Sequence, residues 1–144
     1  MGIKLLEPSL MGPFTHILSK DPALDTEAEG FADAYSRFLE TGVLPPLKPG
    51  EEPTVFNLTP VTDAELDAEI RGKLDSIGQR WAVETASYCL TSIDNLRDGE
   101  GNEFKLQHDT INGFKKVCRD HRNLLGREIL NELGTICINK SSPS

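Results

Sequence analysis

Acidic and amide side chains are concentrated in one short stretch, DNLRDGEGNEFK at residues 94–105. Carboxylate and amide oxygens are the ligands that Ca²⁺ prefers, and an EF-hand loop needs them at alternate early positions and ends on a bidentate glutamate. If the stretch were such a loop, its third position would be Leu96 and its last would be Lys105. These two residues argue against calcium. The sequence predicts instead a β-turn or short hairpin over residues 94–104, with Leu96 and Phe104 as apolar anchors.

The other residues that could do chemistry are three histidines and three cysteines: His16, His108, His121, Cys89, Cys118 and Cys137. No two histidines stand four residues apart, and no histidine has a carboxylate or cysteine at metal-ligand spacing. The chain contains no nucleophile elbow, P-loop or GxGxxG motif. The cysteines are odd in number and widely spaced, which is typical of reduced, buried thiols. The sequence therefore predicts a protein that is not an enzyme and has no cofactor and no bound metal.

The net charge of −8 is unevenly distributed along the chain. Residues 1–100 contain 8 Lys+Arg and 18 Asp+Glu, whereas residues 101–144 contain 7 and 5. The acidic part would repel a phosphate backbone, so we expect no nucleic-acid partner. No apolar run reaches the roughly 20 residues that cross a bilayer, so we expect no membrane partner. One basic cluster stands out, and we interpret it as a solvated helix face or a partner for the acidic segment: Lys115, Lys116, Arg119, Arg122 and Arg127.

Residues 1–50 are predicted to form an N-terminal arm with one amphipathic helix at about residues 25–42 and a proline-rich linker. Thr26 and Glu29 make a capping box at the predicted start of this helix. Its aromatic residues recur at helical spacing and share one face: Phe31, Tyr35 and Phe38. This face either docks on the body of the protein or binds another chain, so these three residues are candidates for partner binding.

Residues 51–144 are predicted to form a helical body. A strand at residues 54–59 precedes a helix that is capped by Thr62, runs to about Ile93 and could bend near Gly78. A second helical pattern, of one or two helices, begins near Asp109 and contains three further candidates for partner binding: Leu125, Ile129 and Leu133. The predicted fold is a mainly α single domain of about four helices with a short β-strand pair or hairpin.

Two segments of the body resemble a known class of protein. A proline-flanked strand, PTVFNLTP, leads into a helix that contains Trp81 and ends in CLTSIDNLRDGEGNEFK, and the last helix reads ILNELGTICINKSS. This order is similar to that of small proteins encoded among the morphogenesis genes of long-tailed bacteriophages, several of which look like tail assembly chaperones. The resemblance covers about residues 53–142 and rests on matched turn and strand residues: Asn95, Leu96, Asp98, Gly101, Asn102, Val55, Phe56, Leu58 and Pro60.

The resemblance implies a non-enzymatic factor that binds a tape-measure protein or another virion protein through apolar helix faces, and that could also form a homo-oligomer. Such a protein would act in the cytoplasm of an infected bacterium. Two alternatives stay open, a structural component of the virion (neck, tail or capsid accessory protein) and an acidic phage-encoded inhibitor of a host protein.

Overall fold

The protein is described by a computed structural model that covers residues 12–61, 64–72 and 81–141. The predicted cap at Thr62 and the predicted bend near Gly78 lie outside these residues. The described part contains five helices: α1 (Phe31–Thr41), α2 (Ala64–Arg71), α3 (Trp81–Cys89), α4 (Arg119–Leu125) and α5 (Arg127–Ser141). It also contains five strands: β1 (Phe14–His16), β2 (Val55–Leu58), β3 (Leu90–Asp94), β4 (His108–Ile111) and β5 (Phe114–Val117).

The strands form two antiparallel sheets, one of three strands in the order β1-β2-β3 and one hairpin, β4-β5. The prediction of a mainly α domain with about four helices is therefore wrong, because the described part mixes helices with two sheets. Two segments that have helical spacing in the sequence are strands in the structure, and each has a separate physical cause.

The first of these segments is the hairpin β4-β5, which replaces the predicted start of a helix near Asp109. Asn112 and Gly113 have φ values of 51° and 87°, as expected for both central residues of a type I′ turn. Ile111 pairs with Phe114 directly across this turn. An Asn-Gly pair between apolar residues favours such a turn, and here it overrides the helical spacing of the flanking side chains.

The second segment is β3, which replaces the predicted end of the helix at Ile93. Helix α3 ends at Cys89, and the chain continues directly into β3 at Leu90. Ile93 pairs with Phe56 of β2 and both are buried, so the pairing with β2 satisfies the backbone and covers apolar surface together.

Helix α1 begins later than predicted. Its N-cap is Gly30 in the left-handed conformation, with φ 72°, and no side chain caps it. Residues 25–30 form turns, and the amide of Ala28 donates to the carbonyl of Asp25. The Thr26–Glu29 pair therefore lies in the turns before the helix and does not form its first turn.

Helices α3 and α5 cross at a very close backbone approach and form the centre of the main hydrophobic core. A Cβ atom added to Gly134 of α5 would lie 2.8 Å from the Cα of Ala82 and closer still to its carbonyl group. Glycine is therefore required at this crossing. The main core contains residues from β2, α3, β3, β5, α4 and α5: Phe56, Leu58, Ala86, Cys89, Leu90, Ile93, Val117, Leu125, Leu130, Leu133 and Cys137.

A second, smaller core lies under helix α1. Its buried residues are Ile17, Leu24 and Phe38. Five partly buried side chains from α1, the segment after it and β2 pack around them: Phe31, Tyr35, Leu39, Leu47 and Val55. The segment that follows α1 returns to this core, because Lys48 donates its amide hydrogen to the carbonyl of Ala23 at 2.8 Å. Residues of the predicted arm thus pack against one another.

Candidate functional site

The aromatic face of α1 is docked on the N-terminal strand. Phe38 is buried, and its ring stacks on the imidazole of His16 at a centroid distance of 6.2 Å. The hydroxyl of Tyr35 donates to the carbonyl of Ile17 at 2.7 Å, and Phe31 stacks on Tyr35. Burial, with the nearby Glu132 and Asp21 carboxylates, raises the pKa of Tyr35. In this conformation the face is occupied by residues of the same chain.

The other three predicted candidates lie in the main core. Leu125 and Leu133 are buried, and Ile129 is half-buried and packs against the same cluster. The structure therefore does not bring the two predicted groups together, since one belongs to the main core and the other to the small core under α1.

Three large hydrophobic side chains of the described residues are exposed to solvent, and two of them are neighbours. Val43 and Leu44 are 62% and 60% exposed, and Leu124 on α4 is 72% exposed. Gly42, just before Val43, lines an open groove of about 360 Å³ between α1, β1 and the end of α5. The residues that line the groove include three apolar residues of β1 and α1 and two charged residues of α1 and α5: Phe14, Phe38, Leu39, Glu40 and Lys140.

The acidic stretch at residues 94–104 is a short turn whose polar side chains bind the backbone. The carboxylate oxygen Oδ1 of Asp98 accepts hydrogen bonds from the amides of Glu100 and Asn102 at 2.9 and 3.0 Å. The amide of Phe104 donates to the carbonyl of Leu96 at 2.7 Å, and both side chains pack against the main core. The side chains that suggested a calcium loop therefore stabilise the turn.

Asn95 belongs to the same turn and has a structural role of its own. It has a left-handed φ of 59°, and its side chain donates to the carbonyls of Glu52 and Pro53 at 2.9 and 3.2 Å. This contact ties the turn to the segment before β2. An asparagine suits the position because it tolerates positive φ and supplies two donors.

A buried histidine and a glutamate connect the N-terminal strand to α5. His16 is buried, and its Nε2 donates to Oε2 of Glu132 at 2.7 Å. The amide and hydroxyl of Ser19 donate to the two oxygens of the same carboxylate, each at 2.9 Å. Burial alone would raise the pKa of Glu132, but the hydrogen bonds from His16 and Ser19 outweigh it and hold the pKa below its usual range.

This cluster has the residue types of a hydrolase triad but a different arrangement. In a triad the histidine contacts the nucleophilic hydroxyl and removes its proton. Here both His16 and Ser19 donate to Glu132, so the hydroxyl contacts the carboxylate and not the imidazole that would have to remove its proton. The geometry is that of a structural link between β1, the loop after it and α5.

A second charged cluster lies between α3 and the hairpin. Nζ of Lys116 contacts Oε2 of Glu84 at 2.8 Å, with side chains only 7% and 13% exposed, and lies 5.0 Å from the ring centroid of Tyr88. The Tyr88 hydroxyl donates to Glu69 at 3.3 Å, and Asn112 donates to both oxygens of Glu69. Burial and the negative charge of Glu69 raise the pKa of Tyr88 to about 12.

The basic cluster of the sequence is thus divided in the structure. Lys116 is buried with Glu84, Lys115 and Arg119 are exposed, and Arg122 is half-buried. Alternation along β5 places Lys116 on the opposite side from the exposed Lys115, and Val117 is buried on the other side, in the main core. Reading Asn112-Gly113 as a hairpin turn would have predicted this alternation. No spacing signal connects His16 to Glu132, which is 116 positions away.

The two buried thiols of the main core are in contact. The hydrogen bond with Cys89, together with burial, raises the pKa of the Cys137 thiol. Within the ranges that the structure describes, no three His, Cys, Asp or Glu side chains are placed to hold a metal ion. In the same ranges no helix has both the length and the apolar character to cross a membrane. No family model, curated protein or solved structure matches the chain.

Proposed function

We propose that the protein is a non-enzymatic morphogenesis factor of a tailed bacteriophage, similar to a tail assembly chaperone, that binds a helical client of the tape-measure type. The observation that carries the proposal is the exposed pair Val43 and Leu44 beside the groove at the end of α1. Burying apolar surface stabilises a complex by about 25 cal/mol for each Å² removed from water. Burial of these two side chains would therefore favour the binding of a partner.

The shape of this region suits a helical client. The groove is open, and its lining combines apolar residues such as Phe14 and Leu39 with the charged residues Glu40 and Lys140. An amphipathic helix can place its apolar face in such a groove while its polar face stays in water. Because Phe38 is buried by the docking of α1, we propose that the client contacts Val43 and Leu44 and not the aromatic face of α1.

The charge of the same region supports a basic client. Residues 25–52, which include α1 and the segment after it, contain seven Asp and Glu against Arg37 and Lys48. A surface of one sign attracts a partner of the opposite sign and keeps the free protein soluble. The resemblance of the strand and turn to phage morphogenesis proteins supports the same assignment.

Co-expression with the tape-measure protein of the same phage tests the proposal. We expect the two proteins to purify together, and we expect the V43D/L44D double variant to lose the client. L124D is the matched control, because Leu124 is as exposed but lies on α4, and it should keep the client. A monodisperse monomer that ignores the tape-measure protein would overturn the proposal.

Two further measurements separate the alternative roles. Mass spectrometry of purified phage particles should not find the protein if it is a chaperone, and its presence in stoichiometric amount would favour a virion component. The acidic surface of residues 25–52 also favours an inhibitor that mimics a charged partner. Capture of one host protein from an uninfected lysate, lost on neutralising this surface, would support that role.

A further inference from the structure

An open cavity of about 200 Å³ lies between α3 and the corner that joins α4 to α5. Its volume is many times that needed for one water molecule. Its lining comes from all three helices: Val83, Glu84, Arg122, Asn123, Arg127 and Leu130. Neither the aromatic face of α1 nor the groove at Val43 takes part in it.

The cavity has an excess of positive charge. Its one carboxylate, Glu84, is already paired with Lys116 at 2.8 Å. Neither Arg122 nor Arg127 has a carboxylate partner among the residues that the structure describes. The two arginines therefore give the lining of this cavity more positive charge than its one carboxylate balances.

Arg122 also has an unsatisfied donor. Its Nε is buried and makes no hydrogen bond. A buried donor without a partner is costly, and a guanidinium group commonly meets this need with an oxyanion that accepts from two of its nitrogens.

The local fold explains why the two arginines meet at one place. Gly126, with a positive φ of 86° and a ψ of 163°, ends α4 directly before α5, so Arg122 and Arg127 flank one tight corner. The first amides of the 15-residue helix α5 have no partners within the helix and give its N-terminus a partial positive charge. This charge adds to that of the side chains.

We propose that this cavity binds a phosphate group, held by Arg122 and Arg127 with the side-chain amide of Asn123 as a further donor. Donors on three side chains suit a tetrahedral oxyanion better than a planar carboxylate, which offers only two oxygens. A nucleic-acid backbone is disfavoured because the chain has a net charge of −8. The source of the phosphate is either the free ion or a small phosphate monoester.

The test is titration of the full chain with inorganic phosphate and with glycerol phosphate, at constant ionic strength set by chloride, followed by calorimetry and backbone amide NMR. We expect saturable binding, with shifts centred on Arg122, Arg127 and Leu130. Stronger binding of the ester would identify a monoester as the source, and equal binding would identify the free ion.

Variants give the test its specificity. Arg127→Gln, at an exposed position, should weaken phosphate binding about tenfold, because one charged donor is lost. Arg122→Gln should weaken it at least as much. Arg119→Gln, which removes an exposed arginine of the same helix outside the cavity, should leave binding unchanged.

Three results would overturn the assignment. The first is no binding of either phosphate compound at millimolar concentration. The second is binding that Arg127→Gln and Arg119→Gln weaken equally, which would show a non-specific effect of charge. The third is a single-stranded oligonucleotide that binds through the same arginines more tightly than either small compound.

Discussion

The crossing of α3 and α5 makes a strong prediction for Gly134→Ala. The added methyl group would lie 2.8 Å from the Cα of Ala82, whereas two carbon atoms in contact prefer about 3.5 to 4.0 Å. The clash is with backbone atoms and is closest at the Ala82 carbonyl, so it is relieved only when the helices separate by about an ångström or more. Separation would loosen the main core, to which both helices contribute.

The expected magnitude follows from two opposing effects. Overpacking a core costs about 1 to 3 kcal/mol, and a backbone clash belongs at the upper end of that range. Alanine in place of glycine within a helix stabilises the helix by about 1 kcal/mol. We therefore expect the free energy of unfolding to fall by about 2 kcal/mol, which corresponds to a decrease of about 1 M in the urea midpoint.

Urea unfolding followed by circular dichroism measures this change. Asn131→Ala is the matched control, because Asn131 is exposed on the same helix and gains helix propensity without a clash. The control should be unchanged or slightly more stable. If Gly134→Ala were as stable as the wild type, the backbone contact between α3 and α5 would be refuted.

Three further predictions concern the charged clusters and the turns. In Glu132→Gln, the loss of stability relative to wild type should be fully present above the ordinary pKa of a carboxyl group. It should shrink as the pH falls through the lowered pKa of Glu132, because that group confers stability only while it is ionised. A pH-independent difference in urea unfolding would contradict the contact of an ionised Glu132 with His16. Asp98→Ala should lower the free energy of unfolding by about 1 kcal/mol in the same assay, because two backbone amides lose their acceptor. An unchanged urea midpoint would show that the turn does not depend on these two hydrogen bonds. Gly113→Ala should lower the free energy of unfolding by about 1 kcal/mol because the φ of Gly113 is 87°. Gly99→Ala is the control and should be nearly neutral, because Gly99 has no positive φ. Equal effects of the two substitutions would argue against the type I′ turn.

The elements that could be predicted from the sequence are those with a strong local signal. The strand expected at residues 54–59 is present as Val55–Leu58, and the helix with Phe31 and Phe38 on one face is present as α1. In both cases neighbouring residues specify the element by periodicity and by flanking turn residues.

The hairpin β4-β5 could not be recognised by periodicity alone. Ile111, Phe114 and Cys118 stand three and four residues apart, which fits a helix and not a single strand. The deciding signal is the pair Asn112-Gly113, which supplies the two positive φ angles of the turn. Local turn chemistry was in this case stronger than the side-chain pattern.

The end of α3 and the charged clusters depend on partners far away in the chain. The apolar stripe of the helix continues through Cys89 to Ile93, and only the pairing with β2 converts the last residues into a strand. In the same way, a carboxylate such as Glu84 looks like ordinary acidic surface until Lys116 is brought to 2.8 Å from it. Neither contact has a signature in the residues next to it.

The link between His16 and Glu132 has a consequence for the order of events during synthesis. The two residues are 116 positions apart, so at about 5 to 20 residues per second the histidine is made roughly 6 to 23 s before its acceptor. The buried imidazole and the Ser19 hydroxyl gain their carboxylate partner only after that residue of α5 has left the ribosome. Strand β1 should therefore be the last part of its sheet to become protected, and a nascent chain stalled before α5 should expose the surface beneath α1 to proteases and to other chains.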